Sequence, residues 1–154
     1  MITQAACPSC GAANRIAPGR PPEAAKCGKC GAALALAKPV EVDDAAFNLH
    51  LERTKGPVLV DIWAPWCGPC RAMAPQFEAA AGQLAGEARL LKINADTNAA
   101  PASLKVAGIP ALILFENGRE IARTGGAMPA AALSEWVRNR VVEASAAAAR
   151  RGVA

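Results

Sequence analysis

All six cysteines of the 154-residue chain fall in three Cys-x-x-Cys pairs: Cys7/Cys10, Cys27/Cys30 and Cys67/Cys70. Thiolates at this spacing do two kinds of chemistry, binding a soft metal or exchanging with disulfides, and the setting of each pair decides between them. The first two pairs form Cys-x2-Cys-x16-Cys-x2-Cys, which falls inside the spacing of a zinc ribbon. Two residues between ligands let a tight turn aim both sulfurs at one ion, and the glycine after each pair, Gly11 and Gly31, allows the positive φ such a turn requires. Four thiolates can complete a closed tetrahedral shell, the structural rather than the catalytic arrangement. Cys7, Cys10, Cys27 and Cys30 are therefore expected to hold one structural zinc ion. Two disulfides, or an iron site of rubredoxin type, are the alternatives that use the same residues.

The third pair sits in Trp66-Cys67-Gly68-Pro69-Cys70, between an apolar run and a helical pattern. Cys67 is then placed at a helix N-terminus, where backbone N–H groups and the helix dipole favour the thiolate and make it the attacking sulfur. Cys70 follows one turn inside, close enough to close a small disulfide ring. Pro69 suits a first helical turn, where its missing N–H would be unpaired anyway. A second zinc site is the competing reading, but no further ligand pair is left to complete a shell. His50, the single histidine, recurs among helical apolar residues and reads as structural or surface-exposed.

The elements that must position this pair follow from periodicity. Asp43 and Asp44 suit a helix N-cap before Ala46, Phe47, His50 and Leu51, and Gly56-Pro57 ends that helix. Val58–Trp63 is nearly unbroken apolar, as in a strand covered on both faces, and Asp61 interrupts it. An uncompensated carboxylate in such a strand has a raised pKa. A helix is predicted from Cys67 to about Leu84 with a kink at Pro75, then a strand over 89–94 and a short helical turn around 102–105. Asn117-Gly118 joins strands over 111–116 and 121–124 as a hairpin. Leu133, Trp136, Val137 and Val141 line one face of a last helix. The order β-α-β followed by ββ-α predicts an α/β fold, a mixed sheet flanked by helices.

Composition sets the outer limits. Thirty-eight alanines inflate the apolar fraction; 37 larger apolar residues remain, enough for one compact core but not for two. Residues 1–37 contain almost no large apolar side chains (Ile2, Ile16, Leu34 and Leu36), so something other than hydrophobic burial must hold them together. Lys38-Pro39 marks a short linker or domain entry near residues 37–41, which divides the chain into a ribbon at 1–37, a domain at 38–145 and an Ala/Arg-rich tail at 146–154 that can extend a helix. Net charge is +3 in residues 1–37, −2 in 38–137 and +3 in 138–154. No Lys/Arg run interleaves with aromatics and tyrosine is absent, so no nucleic-acid partner is expected. No stretch approaches the roughly 20 apolar residues of a membrane span. Met1–Ala6 lacks a basic segment followed by an apolar run, so the expected location is cytoplasmic, where regularly spaced cysteines serve metals or redox chemistry.

Val60-Asp61-Ile62-Trp63-Ala64-Pro65-Trp66-Cys67-Gly68-Pro69-Cys70, together with Pro75, Lys92, Gly108-Ile109-Pro110, Asn117-Gly118 and Gly125-Gly126-Ala127, resembles the thioredoxin family over residues 42–142. With the Cys7–Cys30 array ahead of it, the chain resembles the zinc-bearing bacterial thioredoxin-2 type. Ile62, where the family more often has Phe, and Pro65, often acidic in the family, are departures.

The resemblance implies a thioredoxin fold and a protein-disulfide reductase with a redox-active Cys67–Cys70 disulfide. It makes Cys67 the nucleophile, Cys70 the resolving thiol, Asp61 its proton acceptor and Lys92 a modulator of Asp61. Pro110 matches the family's cis-proline, leaving the Ile109 backbone free to pair with an extended substrate. Trp66, Gly68, Pro69, Ile109, Pro110, Gly126 and Ala127 are then the substrate rim, with Trp63 behind the disulfide. The implied partners are protein disulfides and a flavin-containing thioredoxin reductase. NADPH and FAD belong to that reductase, since this chain has no glycine-rich dinucleotide fingerprint and is expected to bind no organic cofactor of its own. A monomer is expected. A disulfide oxidase or isomerase on the same fold, and a zinc-ribbon binding protein with a regulatory redox domain, are the alternatives.

Overall fold

The computed structural model describes residues 1–152. Two turns of the same shape open the chain. After β1 (Gln4–Ala6) the Cys7 carbonyl accepts the Gly11 N–H and the Cys7 N–H donates to Ala12; further on, Cys27 does the same with Gly31 and Ala32. Gly11 and Gly31 take φ of 77° and 78°, the left-handed conformation predicted for both. β2 (Ala13–Arg15) pairs antiparallel with β1 between the turns. Ile2, Ala5, Ala25, Leu34 and Leu36 form a small buried cluster with Cys7 and Cys27, far short of an independent core.

The remainder is a five-stranded sheet of order β3-β5-β4-β6-β7. β4 (Pro57–Trp63) lies at its centre, parallel to β5 (Arg89–Asn94) and antiparallel to β6 (Ala111–Glu116). β7 (Arg119–Gly125) returns from β6 through Asn117 and Gly118, both at positive φ as a tight hairpin turn demands. Because β4 is covered on both faces, its side chains split by parity. Leu59 packs with Met73 and Phe77 under α2 (Gly68–Gln83) and with Leu133 and Val137 of α4 (Ala130–Arg150). Val58, Val60 and Ile62 pack with Phe47 of α1 (Asp44–Arg53) on the opposite face. α3 (Ala100–Ser103) is the short turn between β5 and β6.

Two elements differ from the sequence expectation. β3 (Val40–Val42) begins within the stretch read as a short linker or domain entry and lies parallel to β5 at the sheet edge. Three residues give too short a period-2 pattern to stand out, and pairing with β5 supplies what the local sequence lacks. β7 is longer at both ends than predicted, because its exposed residues are polar and carry no apolar signal. α4 runs past residue 145 to Arg150, the helical extension that an alanine-rich tail allows, while residues 153–154 of that tail lie outside the described residues.

The N-terminal segment is built onto the sheet domain. The Ile2 N–H donates to Gly86, the Thr3 N–H to Lys55 and the Lys55 N–H back to Gln4. The chain passes so close to Gly56 that an added Cβ would lie 2.7 Å from the Met1 carbonyl oxygen. Arg53 donates to the Gly11 carbonyl at 2.7 Å, and buried Arg89 donates to the carbonyls of Ala6 and Ala35.

Candidate redox site and candidate metal site

α2 starts where β4 leaves the sheet, and Cys67 is its N-cap. The Cys67 sulfur accepts the Cys70 N–H at 3.2 Å, and Gly68 and Pro69 fill the first turn. Cys67 and Cys70 form a disulfide with Cα atoms 5.2 Å apart. Both are nearly buried, at 5% and 3% exposure, and pack with Ala64, Trp63 and Ile109.

Around them the fold gathers the residues expected at the rim. Trp66 is 68% exposed, its indole N–H donating to Asp96 at 3.0 Å. Gly68 and Pro69 are exposed at the head of α2. From the far side, the Ile109 carbonyl oxygen lies 3.9 Å from the Cys67 sulfur, and the Ile109–Pro110 peptide is cis. The Pro110 carbonyl accepts the N–H of Gly126, which brings exposed Gly126 and Ala127 beside the same opening. Segments far apart in sequence thus meet at one end of the sheet.

Beneath the pair, Asp61 has the same parity as Leu59 and therefore faces α2, the helix that carries Cys70. Asp61 is fully buried, and neither carboxylate oxygen has a hydrogen-bond partner among the described residues. Burial pushes its pKa up to about 7; Lys92 opposes that rise and Glu41 adds to it. Lys92 stands directly opposite Asp61 on β5. Its ammonium lies 5.0 Å from the centroid of the Trp63 ring, and the Trp63 indole N–H donates to Glu41 at 3.1 Å. Trp63 thus both backs the disulfide and holds the two charges beside Asp61.

Glu41 lies on β3, where the alternation Val40-Glu41-Val42 is too short to mark a strand without its pairing to β5. Arg89 is a charge heading the apolar strand β5, the same kind of sequence signal as Asp61 in β4. Burial lowers Arg89 to about 10, which leaves it charged. His50 is buried with Nδ1 unpartnered among the described residues, and burial lowers its pKa to about 4. It is a structural, neutral side chain.

The other four cysteines converge at the opposite end of β5. All four sulfurs lie within 4.8 Å of one another, Cys7 to Cys30 at 3.6 Å and Cys10 to Cys27 at 3.7 Å. Tetrahedral zinc with Zn–S bonds of about 2.3 Å requires sulfurs about 3.8 Å apart, whereas a disulfide requires about 2.0 Å. The donor set therefore fits one tetrahedral ion, and the two-disulfide alternative does not describe these four free cysteines. The Ser9 and Cys10 N–H groups point at the Cys7 sulfur, and the Lys29 N–H and Asn14 amide at the Cys27 sulfur. Hydrogen bonds from the Cys30 N–H, Asn14 and the Lys29 N–H bring the Cys27 thiol down to about 6, while burial and the neighbouring Cys7, Cys10 and Cys27 sulfurs hold the Cys30 thiol up at about 11.

Comparison with known proteins divides the chain along the same line. Residues 38–139 match the family model described as Thioredoxin, and residues 6–32 match the model described as Thioredoxin 2, N-terminal, a zinc ribbon. Thioredoxin C-3 of Corynebacterium nephridii is 37% identical over 134 residues, covering 85% of this chain and 90% of that one. The thioredoxin of Haemophilus influenzae is 36% identical over 107 residues, covering 69% of this chain and all of its own. Among solved structures, a mutant thioredoxin from Halobacterium salinarum superposes with a TM-score of 0.63 at 29% identity, covering 69% of this chain and 93% of that one.

Proposed function

The chain belongs to the thioredoxin family and carries the N-terminal ribbon of the thioredoxin 2 type, and from that premise we propose how its residues divide the work of disulfide reduction. The activity is thiol–disulfide exchange through Cys67-Gly68-Pro69-Cys70. The Cys67 thiolate attacks one sulfur of a substrate disulfide, forming a mixed disulfide and expelling the other substrate sulfur as thiolate. Cys70 then attacks Cys67, which closes the Cys67–Cys70 bond and releases the second substrate thiolate.

Cys67 attacks first because it caps a helix N-terminus beside the exposed rim, where the dipole stabilises negative charge. Cys70 lies inside the helix with its sulfur buried and must lose a proton in place. Asp61 is the acceptor: a buried carboxylate with a pKa near neutrality, on the sheet face that α2 covers. Lys92 offsets the burial that raises Asp61 and so tunes when the proton moves. Trp66, Gly68, Pro69, Ile109, Pro110, Gly126 and Ala127 form the platform on which an extended substrate segment pairs. The single observation that carries this reading is the unpartnered carboxylate of Asp61 beneath a helix headed by the cysteine pair.

Cys7, Cys10, Cys27 and Cys30 would hold one zinc ion, which supplies cross-linking of the ribbon rather than a reactive position. The proposed division is a ribbon at 1–37, a catalytic domain at 38–145 and a helical tail. A flavin-dependent reductase using NADPH is the proposed electron donor, protein disulfides the substrates, and the cytoplasm the location of a monomer. Among the described residues no helix is long and apolar enough to cross a membrane. Insulin reduction tests the scheme: Cys67→Ser should abolish turnover, and Cys70→Ser should trap a mixed disulfide through Cys67. Full turnover by Cys67→Ser would overturn it.

A further inference from the structure

One buried charge has no part in disulfide exchange. Arg89 opens β5 at 1% exposure, on the sheet face away from Asp61, since it stands three residues before Lys92. Its Nη1 donates to the Ala35 carbonyl and its Nη2 to the Ala6 carbonyl, both at 3.1 Å, while Nε has no partner among the described residues. Both acceptors belong to the N-terminal segment: Ala6 directly precedes Cys7, and Ala35 lies between the clustered Leu34 and Leu36. No carboxylate is paired with Arg89 among the described residues. Of the titratable groups in its field, Cys7 attracts the guanidinium and His50 is buried and neutral.

Carbonyl dipoles satisfy hydrogen bonds but carry no net charge, so a guanidinium taken out of water here still lacks a counterion. The four sulfurs present the complementary problem. Thiolates around a divalent zinc retain two negative charges, and Cys7 and Cys27 bring theirs into a buried setting.

We propose that Arg89 is the countercharge of the four-cysteine zinc site, rooted in the catalytic sheet and fastened to the ribbon through the carbonyls of Ala6 and Ala35. The proposal rests on the reading of the four cysteines as zinc ligands. Arg89 is then a positioning residue for the metal, and zinc occupancy is coupled to the stability of the sheet. With zinc bound, the cation and the thiolate cluster offset one another; with zinc removed, Arg89 loses the anionic cluster that compensates its burial.

Zinc affinity of the full chain, measured by chelator competition, tests this. Arg89→Met should weaken zinc binding by about tenfold or more, the range seen when an outer partner of a metal site is removed. Arg89→Lys, which keeps the charge, should stay within about threefold, as should Thr54→Val, which removes an uncharged ribbon contact to the Ala6 N–H. Urea unfolding adds a reversal that a packing role would not produce. Arg89→Met should be less stable than the parent with zinc and at least as stable without it. Unchanged affinity in Arg89→Met, equal losses in Arg89→Met and Thr54→Val, or equal destabilisation with and without zinc would each overturn the proposal. If Arg89→Met does not fold, Arg89→Lys decides alone, a tenfold loss of affinity counting against the charge. A parent chain that binds no zinc would remove the underlying zinc reading instead.

Discussion

The ribbon and the catalytic domain use one spacing, Cys-x-x-Cys, for opposite ends. In the ribbon sulfurs of different pairs approach one another, Cys7 and Cys30 at 3.6 Å and Cys10 and Cys27 at 3.7 Å. In the domain Cys67 bonds Cys70 of its own pair. The course of the chain beyond the second cysteine makes the difference. Gly11 and Gly31 turn the chain back at positive φ, and the sulfurs of both pairs converge on a shared point. Cys70 instead continues into the sixteen residues of α2, so its sulfur stays buried over the sheet within reach of Cys67. The two regions are also held together differently. The domain buries Leu59, Met73, Phe77 and Leu133 on one face of its sheet and Val58, Val60, Ile62 and Phe47 on the other, whereas the ribbon buries only Ile2, Leu34, Leu36 and two alanines around Cys7 and Cys27. Equal spacing does not mean equal chemistry; the backbone after the pair decides.

The sharpest way to break this comparison is to exchange the roles of the cysteines. Cys67→Ser should reduce insulin reduction to background while zinc content stays at one per chain, because the loss of the nucleophile leaves the ribbon untouched. Cys10→Ser should do the reverse, losing zinc while retaining turnover. Loss of turnover in Cys10→Ser comparable to that in Cys67→Ser would show that the two sites act as one.

Metal removal comes next in expected effect. Binding energy for a four-thiolate zinc, about 10–16 kcal/mol in isolated fingers, is folding energy for a segment with so little core. Chelation should therefore strip hydrogen-exchange protection from the amides of Cys7, Gly11, Cys27 and Gly31. Strands β4, β5 and β6 should remain protected, with a lower unfolding midpoint because the contacts of Lys55, Gly86 and Arg89 are lost. Retained protection throughout the chelated ribbon would mean that docking on the domain, rather than metal, holds it.

Asp61→Asn is the third test, and its sign is opposite in stability and in rate. The native carboxyl holds its proton up to pH about 7, while the unfolded chain releases it near its ordinary value of 3.8. Stability is thus lost as pH rises between those values and levels off above them. Asp61→Asn removes that loss, at about 1.4 kcal/mol for each pH unit separating the folded and unfolded pKa values. At pH 8 the variant should therefore be more stable than the parent by a few kcal/mol, with the gain shrinking towards pH 4. Resolution of the mixed disulfide should slow by at least about tenfold, as expected when a positioned proton acceptor is lost. Thermal melts across pH and quenched-flow capture of the mixed disulfide read the two effects. A variant that is less stable at pH 8 would mean that Asp61 has partners that satisfy its charge.

The smallest effect probes α1, the helix between the two regions. The Asp43 carboxylate caps it by accepting the Ala46 N–H at 2.8 Å, so Asp43→Ala should cost about 1 kcal/mol in urea unfolding. Zinc affinity should not change, because Gly11 is held from the other end of the helix by Arg53. A measurable loss of zinc would extend the coupled interface along the whole helix.

Much of this molecule is local, and what is local is legible. The ribbon turns need only cysteines two residues apart and a glycine after them, so Gly11 and Gly31 could be assigned positive φ from their positions alone. The β5 and β6 boundaries, the start of α2 at the Cys67 cap and the Asn117-Gly118 hairpin follow from periodicity and turn chemistry over a few neighbouring residues. Asp61 announced itself as a charge in an apolar strand. What tertiary structure alone decided was which distant groups meet. β3 exists because β5 offers it a parallel edge, and the 3.9 Å approach of the Ile109 carbonyl to Cys67 joins residues 42 positions apart. The register of β3, β5 and β4 sets Glu41 and Asp61 on either side of Lys92. Arg89 reaches the Ala6 carbonyl across 83 residues. Pairings of that kind depend on strand order and on the burial of both partners at once, and neither is encoded within a window of sequence.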